Sequence, residues 1–253
     1  IPLIAETGGL NAMIVDSSAL LERACDDIMR SAFNSAGQRC SALRLLLVHQ
    51  EVYSELLSML KGAMNDLTIG PPDQLHTDVG PIITFDAMKK LKLYLTKMES
   101  DGHSLYQASN KPVPRKGTWL APTLIELELN SMPNEEQFGP ILHVMPFSED
   151  TLIDSLKKIN AKGFALTFGI HTRIDAKALD VAKQTSSGNI YINRDIVGAV
   201  VETQPFGGKN LSGSGFKAGG PNYLLQFMDE RVITVNTVAI GGNIDLINLN
   251  NDN

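Results

Sequence analysis

The chain has 253 residues, of which 43% are hydrophobic and 20% charged, a composition typical of folded globular proteins rather than disordered ones. Its formal net charge of −6 argues against nucleic-acid binding, and no apolar run is long enough to cross a membrane. The two cysteines, Cys25 and Cys40, form neither a disulfide framework nor a Cys-x-x-Cys metal pair.

Hydrophobic periodicity predicts an alternation of helices and strands along the chain. Apolar residues at helical spacing predict helices over 19–34, 52–67, 85–98, 150–160 and 174–184. Asp16 or Ser17 is placed to cap the first helix, and Cys25 falls inside that helix, which predicts a core position. Strand-length apolar runs predict strands over 43–49, 119–127, 142–147, 165–171 and 189–193. The alternation predicts an α/β fold with a mainly parallel sheet flanked by helices.

The remaining composition bears on compartment and metal binding. Free thiols suit a reducing environment, so we expect a cytoplasmic protein. The five histidines are scattered along the chain and show no His-Glu-x-x-His spacing. The sequence therefore predicts no metal site.

The second cysteine lies in a small polar turn with the sequence SAGQRCSA (35–42). Glycine in such a turn lets the backbone come close to a ligand, and Arg39 beside the sulfur favours the thiolate, which is the reactive form. Cys40 is therefore a candidate nucleophile. Most cysteines are small core residues, so the turn alone leaves these two interpretations about equally open.

Three further motifs accompany this turn: IAETGGLN (4–11), EEQFGP (135–140), and QPFGGK followed by SG (204–209 and 212–213). In this order the four motifs resemble the aldehyde dehydrogenase superfamily over essentially the whole chain. Glu6 precedes Cys40 by 34 residues, the separation expected of that family's general base and nucleophile. The resemblance implies an aldehyde dehydrogenase catalytic domain without most of its Rossmann NAD domain.

The resemblance also implies the chemical roles of these two residues. Cys40 would attack the aldehyde carbon as a thiolate, and its own backbone N–H would donate to the developing oxyanion. Glu6 would activate the water that releases the acid product. Without Cys40, Glu6 would be interpreted as a solvated loop carboxylate beside a Gly-Gly turn.

The cofactor implied by the resemblance is NAD. Glu136 would accept hydrogen bonds from the nicotinamide ribose, and Phe138 would pack near the nicotinamide. Thr7 and Gly8 would also lie in the cofactor site. An isolated pair such as Glu135 and Glu136 would otherwise be interpreted as an exposed acidic turn.

A narrower resemblance concerns the stretch GAVVETQPF (198–206), which is similar to the substrate anchor loop of pyrroline-carboxylate dehydrogenases. There the backbone N–H groups of Gly198 and Ala199 and the hydroxyl of Ser41 would hold a substrate carboxylate, and Phe206 would pack on the aliphatic part. Backbone donors suit an anion. The alternative interpretation, a turn of small residues, carries about equal weight.

The stretches 1–16, 35–44 and 229–243 are similar to the proline utilization A family, whose members join an FAD-dependent proline dehydrogenase to an NAD-dependent glutamate-semialdehyde dehydrogenase. This implies oxidation of L-glutamate γ-semialdehyde to L-glutamate within a longer, homo-oligomeric protein, with FAD only in the part absent here. The expected division is the end of an NAD-binding domain carrying the general base (1–15), a catalytic domain (16–235) and a C-terminal extension (236–253). The chain by itself is expected to be inactive.

Two other function classes stay open. Cys40 with His143 could form a cysteine hydrolase or acyltransferase, although His143 falls in a predicted strand, which favours a core position. The chain could also be an assembly module without activity. The stretch GSGFKA (213–218) fits the dinucleotide fingerprint G-x-G-x-x-A, but it follows no hydrophobic strand, so we interpret it as loop structure near the active site.

Overall fold

The computed structural model describes residues 3–109 and 111–240, which contain nine strands and five α-helices. The strands are β1 (Asn11–Val15), β2 (Leu43–His49), β3 (Ser104–Gln107), β4 (Thr123–Glu126), β5 (Ile141–Phe147), β6 (Phe164–Ala165), β7 (Thr167–His171), β8 (Asn189–Ile192) and β9 (Lys209–Asn210). The helices are α1 (Leu21–Phe33), α2 (Tyr53–Asp66), α3 (Phe85–Ser100), α4 (Leu152–Ala161) and α5 (Asp175–Gln184).

A seven-stranded sheet in the order β3-β4-β5-β2-β1-β7-β8 forms the centre of the fold. Neighbouring strands run parallel, except that β3 is antiparallel to β4 at one edge. The central strands β1 and β2 are buried along their whole length, as expected for parallel strands covered on both faces. The predicted α/β fold with a mainly parallel sheet is therefore confirmed.

The five predicted helices are present within two residues of their expected bounds, and the strands over 43–49, 142–147 and 189–193 agree as closely. The predicted strand over 119–127 is confined to β4. The prediction of one strand over 165–171 was wrong, because its first residue, Ala165, belongs to β6, which pairs with β9 in a separate ribbon. The sequence interpretation missed β1, β3 and β9.

The division into units 1–15, 16–235 and 236–253 stays a prediction. In the structure β1 lies between β2 and β7 and is hydrogen-bonded to both. Most of the predicted C-terminal extension, residues 241–253, lies outside the described residues.

A register shift interrupts the pairing of the two central strands at their amino ends. Asn11 lies opposite Leu43, whereas the next residue, Ala12, lies opposite Leu45. Arg44 therefore has no opposite residue on β1, which is the arrangement of a β-bulge. The bulge lies four residues after Cys40, at the edge of the sheet where the candidate catalytic turn begins.

The predicted cap of α1 was wrong. Leu20 occupies the N-cap position without a side-chain hydrogen bond. Asp16 is fully buried at the carboxyl end of β1, where it accepts hydrogen bonds from Lys177 Nζ at 2.6 Å and from the hydroxyls of Ser18 and Thr172 at 2.6 and 2.9 Å. Burial would raise the pKa of Asp16, but these donors outweigh burial and lower the pKa to about 2.

Replacing Asp16 with asparagine is expected to lower the free energy of unfolding at pH 7 by about 2 kcal/mol, since the pKa falls from an ordinary 3.8 to about 2 on folding. A depressed carboxyl pKa stabilises the fold above pH 4, and this contribution is lost as the pH falls toward 2. Urea unfolding of both proteins across this range measures the effect.

The difference between the two proteins should therefore shrink toward zero near pH 2. Asp154→Asn is the control, because Asp154 is an exposed carboxylate paired with Lys157 at 3.8 Å and should contribute less than about 1 kcal/mol. An Asp16→Asn difference that is equally large at pH 2 and pH 7 would show that the ionised carboxylate is not its source.

Candidate active site

Three of the four sequence motifs converge because each of them leads into the amino end of a strand of the main sheet. The Glu6 segment precedes β1, the Cys40 turn precedes β2, and the Glu136 segment precedes β5. These strands are neighbours in the sheet, in the order β5-β2-β1. Parallel strands bring their amino ends to the same edge, so residues far apart in sequence meet there.

The turn that carries Cys40 begins with three consecutive residues in the left-handed region. The φ angles are 56° at Ser35, 53° at Ala36 and 64° at Gly37. Residues other than glycine adopt this region at a cost. A Cβ on Gly37 would lie 2.2 Å from the carbonyl oxygen of Gly139, so only glycine fits. Backbone strain of this kind clusters at functional sites.

Cys40 is exposed, whereas Cys25 is buried within α1 as expected. Partial shielding from solvent raises the pKa of the Cys40 thiol, and the backbone N–H groups of Ser41 and Cys40 oppose this rise. The charges of Glu136 and Glu6 raise the pKa further. The expectation that Arg39 favours the thiolate was wrong, because its Nε donates to Ser35 Oγ at 2.9 Å and the pKa of Cys40 is raised.

A pocket of about 290 Å³ opens beside the sulfur of Cys40. It is lined by Arg39, Cys40, Ser41, Gly198, Ala199 and Phe206. The structure thus places the three predicted anchor positions and Ser41 around one cavity with the candidate nucleophile. Gly198 has a φ of 97°, and its carbonyl accepts a hydrogen bond from the Tyr191 hydroxyl at 3.2 Å.

The Glu6 segment is held by the loop that follows β9. Glu6 forms an isolated bridge with Gly213, and the amide of Ala5 donates to Ser214 Oγ at 3.1 Å. Thr7 Oγ1 donates to the carbonyl of Leu211. The residues after Gly213 form turns rather than a helix, which agrees with the rejection of a dinucleotide fingerprint there. Glu6 itself is exposed and does not line the pocket.

Glu136 is largely buried, with 13% of its side chain exposed, unlike its exposed neighbour Glu135. Its Oε2 accepts a hydrogen bond from the amide of Gly9 at 3.1 Å. Burial raises the pKa of Glu136, and the guanidinium of Arg44 opposes that rise. A Cβ on Gly8 would lie 1.9 Å from Oε2, so the Gly-Gly turn lets this carboxylate approach the backbone.

Arg44 is the partner of this carboxylate, and the sequence interpretation missed its role. Its Nη2 and Nε donate to Glu136 Oε1 at 3.0 and 3.2 Å, and its Nη1 donates to the carbonyl of Gly139 at 3.0 Å. The side chain is fully buried, and its guanidinium lies 5.4 Å from the ring centre of Phe138. A single arginine within the apolar run 43–48 was the signal, because an unpaired charge is rarely buried.

His143 is not available as a base for Cys40. It is fully buried in β5, and burial lowers its pKa to about 4. Its Nδ1 lies 3.0 Å from the carbonyl of Arg44 and its Nε2 lies 2.8 Å from the hydroxyl of Tyr94. A carbonyl only accepts, so Nδ1 carries the proton and Nε2 accepts from Tyr94. Both ring nitrogens are therefore occupied, and the cysteine hydrolase interpretation loses its base.

Metal-binding clusters and membrane-spanning helices are both absent from residues 3–109 and 111–240. No group of three or more histidine, cysteine, aspartate or glutamate residues there is arranged to hold a metal ion. Within the same ranges, none of the helices combines the length and apolarity needed to cross a membrane.

The profile of the aldehyde dehydrogenase family matches residues 1–233. The chain belongs to this family. It is 49% identical over 236 residues to the bifunctional protein PutA of Escherichia coli strain K12, covering 91% of this chain and 18% of that protein. The aldehyde dehydrogenase chain thus spans less than a fifth of this relative.

Solved structures of the family give the same picture. Proline utilization A from Bradyrhizobium japonicum superposes with a TM-score of 0.90 at 46% identity, covering 95% of this chain and 24% of that chain. The 1-pyrroline-5-carboxylate dehydrogenase from Thermus, solved with bound NAD, superposes with a TM-score of 0.79 at 31% identity, covering 89% of this chain and 43% of that chain.

Proposed function

We propose that this chain is the catalytic part of a longer aldehyde dehydrogenase that oxidises L-glutamate γ-semialdehyde to L-glutamate with NAD, a step of proline catabolism. The observation that carries the proposal is the pocket shared by Cys40, Ser41, Gly198, Ala199 and Phe206. It combines a nucleophile with donors for a carboxylate. The names of the relatives, PutA and 1-pyrroline-5-carboxylate dehydrogenase, support the same substrate.

The residues near Glu136 fit the nicotinamide end of NAD. The carboxylate uses three of its acceptor positions for Arg44 and Gly9, and a carboxylate offers about four, which leaves room for a ribose hydroxyl. Phe138 is 43% exposed and presents a ring surface beside it. When bound there, NAD would accept the hydride from the substrate carbon.

The proposed mechanism begins at the sulfur of Cys40. The thiolate forms a bond to the aldehyde carbon, and the carbonyl electron pair moves to the oxygen, which the Cys40 backbone N–H stabilises. Loss of hydride restores the carbonyl as a thioester on Cys40. Glu6 then takes a proton from water, the resulting hydroxide attacks the thioester, and the C–S bond breaks to release the acid and the thiolate.

Substrate recognition in this proposal depends on backbone donors. The N–H groups of Gly198 and Ala199, with the Ser41 hydroxyl, hold the α-carboxylate at the end of the pocket away from the sulfur. Hydrogen bonds to a charged acceptor are stronger than neutral ones. Phe206 packs on the aliphatic carbons between the two ends. A longer or shorter aldehyde acid would not reach both the donors and the sulfur.

A second candidate role is assembly of identical chains. Large apolar side chains between Leu224 and Val238 are exposed in this structure: Leu224, Leu225, Phe227, Met228, Val232, Ile233, Val235 and Val238. Exposed large apolar side chains are typical of protein interfaces, and a homo-oligomer is the partner we propose for this stretch. A solution mass measured for the chain with and without this stretch separates assembly from a purely catalytic role.

The 253-residue chain alone is expected to produce no NADH from glutamate γ-semialdehyde, whereas the longer protein should produce it. Glu136 and Phe138 would contact only the nicotinamide end of NAD. Contacts to remote parts of a ligand supply much of its binding energy and fix its orientation. Initial rates of NADH formation by both proteins measure the difference.

The control is the folded state of the isolated chain, followed by circular dichroism and by titration of Cys40 with a thiol reagent. NADH production by the isolated chain would mean that the cofactor site lies within these residues.

An aldehyde of equal length without the α-carboxylate tests the anchor loop, and kcat/KM of the longer protein for this aldehyde should be lower by at least about tenfold.

A further inference from the structure

Asn11 is a buried polar residue at the start of β1, and its side chain joins three segments around the active site. Only 2% of its surface is exposed. Its Nδ2 donates to the carbonyls of Cys40 at 2.7 Å and Ala42 at 2.9 Å, and its Oδ1 accepts from the amide of Thr167 at 3.1 Å. Two carbonyl partners and one amide partner fix which atom is nitrogen and which is oxygen.

The hydrogen bond to Cys40 fixes a particular peptide plane. In a trans peptide the carbonyl of one residue and the N–H of the next point in opposite directions. Because Asn11 holds the Cys40 carbonyl on its own side, the N–H of Ser41 points to the other side. That N–H, together with the N–H of Cys40 itself, acts to lower the pKa of the Cys40 thiol.

We propose that Asn11 is a positioning residue that holds the Cys40–Ser41 peptide in the orientation in which its N–H stabilises the thiolate. The proposal rests on Cys40 being the nucleophile, as in the proposed function. It adds a reason for the amide at this position, since no step of the proposed mechanism uses the Asn11 side chain. Asn11 also accepts a hydrogen bond from the amide of Thr167 in β7. The turn is therefore connected through Asn11 to both β1 and β7.

The residues packed around Asn11 leave space for its side-chain amide. A Cβ on Gly9 would lie 2.5 Å from Asn11 Oδ1, so the Gly-Gly turn leaves space for the side chain. The turn it holds contains Ser35 and Ala36 in the left-handed region. A strained turn persists only when its surroundings hold it, and the bonds to Cys40 and Ala42 supply such a hold.

The test measures the reactivity of Cys40 in the chain itself, without NAD or turnover, so it stands apart from the proposed substrate. Alkylation by iodoacetamide is followed across pH by mass spectrometry of the Cys40 peptide. In Asn11→Ala the apparent pKa of Cys40 should rise by about one unit, with a roughly tenfold slower reaction at neutral pH, because a donor to the thiolate is lost.

The charged groups around the sulfur remain in this variant. The charges of Glu6 and Glu136 raise the pKa of the Cys40 thiol. The charge of Cys40 opposes the fall in pKa that burial causes at Arg44. None of them is altered, so a shift reports the peptide orientation. Asn11→Ser, which retains one donor, should show a smaller shift and serves in place of Asn11→Ala if that variant does not fold.

Asn193→Ala is the matched control. The amide of Asn193 also bonds to a neighbouring segment, donating to the carbonyl of Thr172 and accepting from its amide, both at 2.9 Å, but at the opposite edge of the sheet. This variant should lose stability while the Cys40 pH profile stays unchanged. Buried Cys25 reports unfolding in every variant. An unchanged Cys40 profile in folded Asn11 variants would overturn the proposal.

Discussion

Replacing Cys40 with alanine in the proposed longer dehydrogenase is expected to reduce NADH formation by about three orders of magnitude or more. The variant has no atom that can bond to the aldehyde carbon, and loss of the nucleophile in covalent enzymes leaves only the contribution of binding and positioning. NAD affinity should stay nearly unchanged, because the proposed contacts at Glu136 and Phe138 do not involve the sulfur. Steady-state rates and a direct titration with NAD measure these two quantities.

Cys25→Ala is the control for this substitution, since it removes the other thiol of the chain at a buried site in α1. Burial raises the pKa of Cys25 to about 11, so it remains a thiol at neutral pH. This variant should keep turnover and lose a little stability. Turnover retained by Cys40→Ala would remove Cys40 from the mechanism.

The strands and helices that the sequence predicted well are those with a strong periodic pattern. The run 43–49 is buried on every residue, and α1 buries Ala24, Ile28 and Ala32 at helical spacing. β1 was missed although its five residues are all buried, because its sequence begins directly at the Gly-Gly turn and was interpreted as part of a motif. β3 was missed because its residues are exposed or half-buried.

The break at Leu166 has a physical cause that no local pattern reveals. The residues before it pair with Lys209 and Asn210, more than forty positions later, while the residues after it enter the main sheet. Both parts have the same apolar character, so the sequence predicts one strand. Pairing with a distant segment decides where the strand divides.

The residues proposed for the site came from the resemblance, whereas the contacts that support them could not be predicted from the sequence. Cys40, Ser41, Gly198, Ala199 and Phe206 meet around one pocket, as the motifs indicated. The buried pair of Arg44 and Glu136 and the amide of Asn11 depend on a register shift and on close approach at Gly8 and Gly9. Such contacts join segments distant in sequence and leave no periodic signal.

The position of the site on the sheet also differs from the common rule. Ligands of open α/β folds bind beyond the carboxyl ends of the strands. Here three of the four motifs lie before β1, β2 and β5, at the amino ends. The carboxyl edge instead holds the buried Asp16 and Lys177 pair, whose contribution is to stability. The order of motif and strand along the chain predicts this edge, because each motif precedes its strand.

Replacing Glu6 with glutamine is expected to leave one rapid burst of NADH per active site and to slow the steady state by about 10²- to 10⁴-fold, the usual contribution of a general base. In the proposed mechanism the thioester forms before the step that needs Glu6, so the burst should survive while hydrolysis stalls. The charge of Glu6 raises the pKa of Cys40; its removal should therefore lower that pKa and leave the burst at least as fast as in the parent enzyme. Stopped-flow measurement of NADH gives both phases, with Glu135→Gln as the matched control because Glu135 is another exposed glutamate near the site. If the burst disappears in Glu6→Gln while Glu135→Gln keeps it, Glu6 activates the thiol rather than the water.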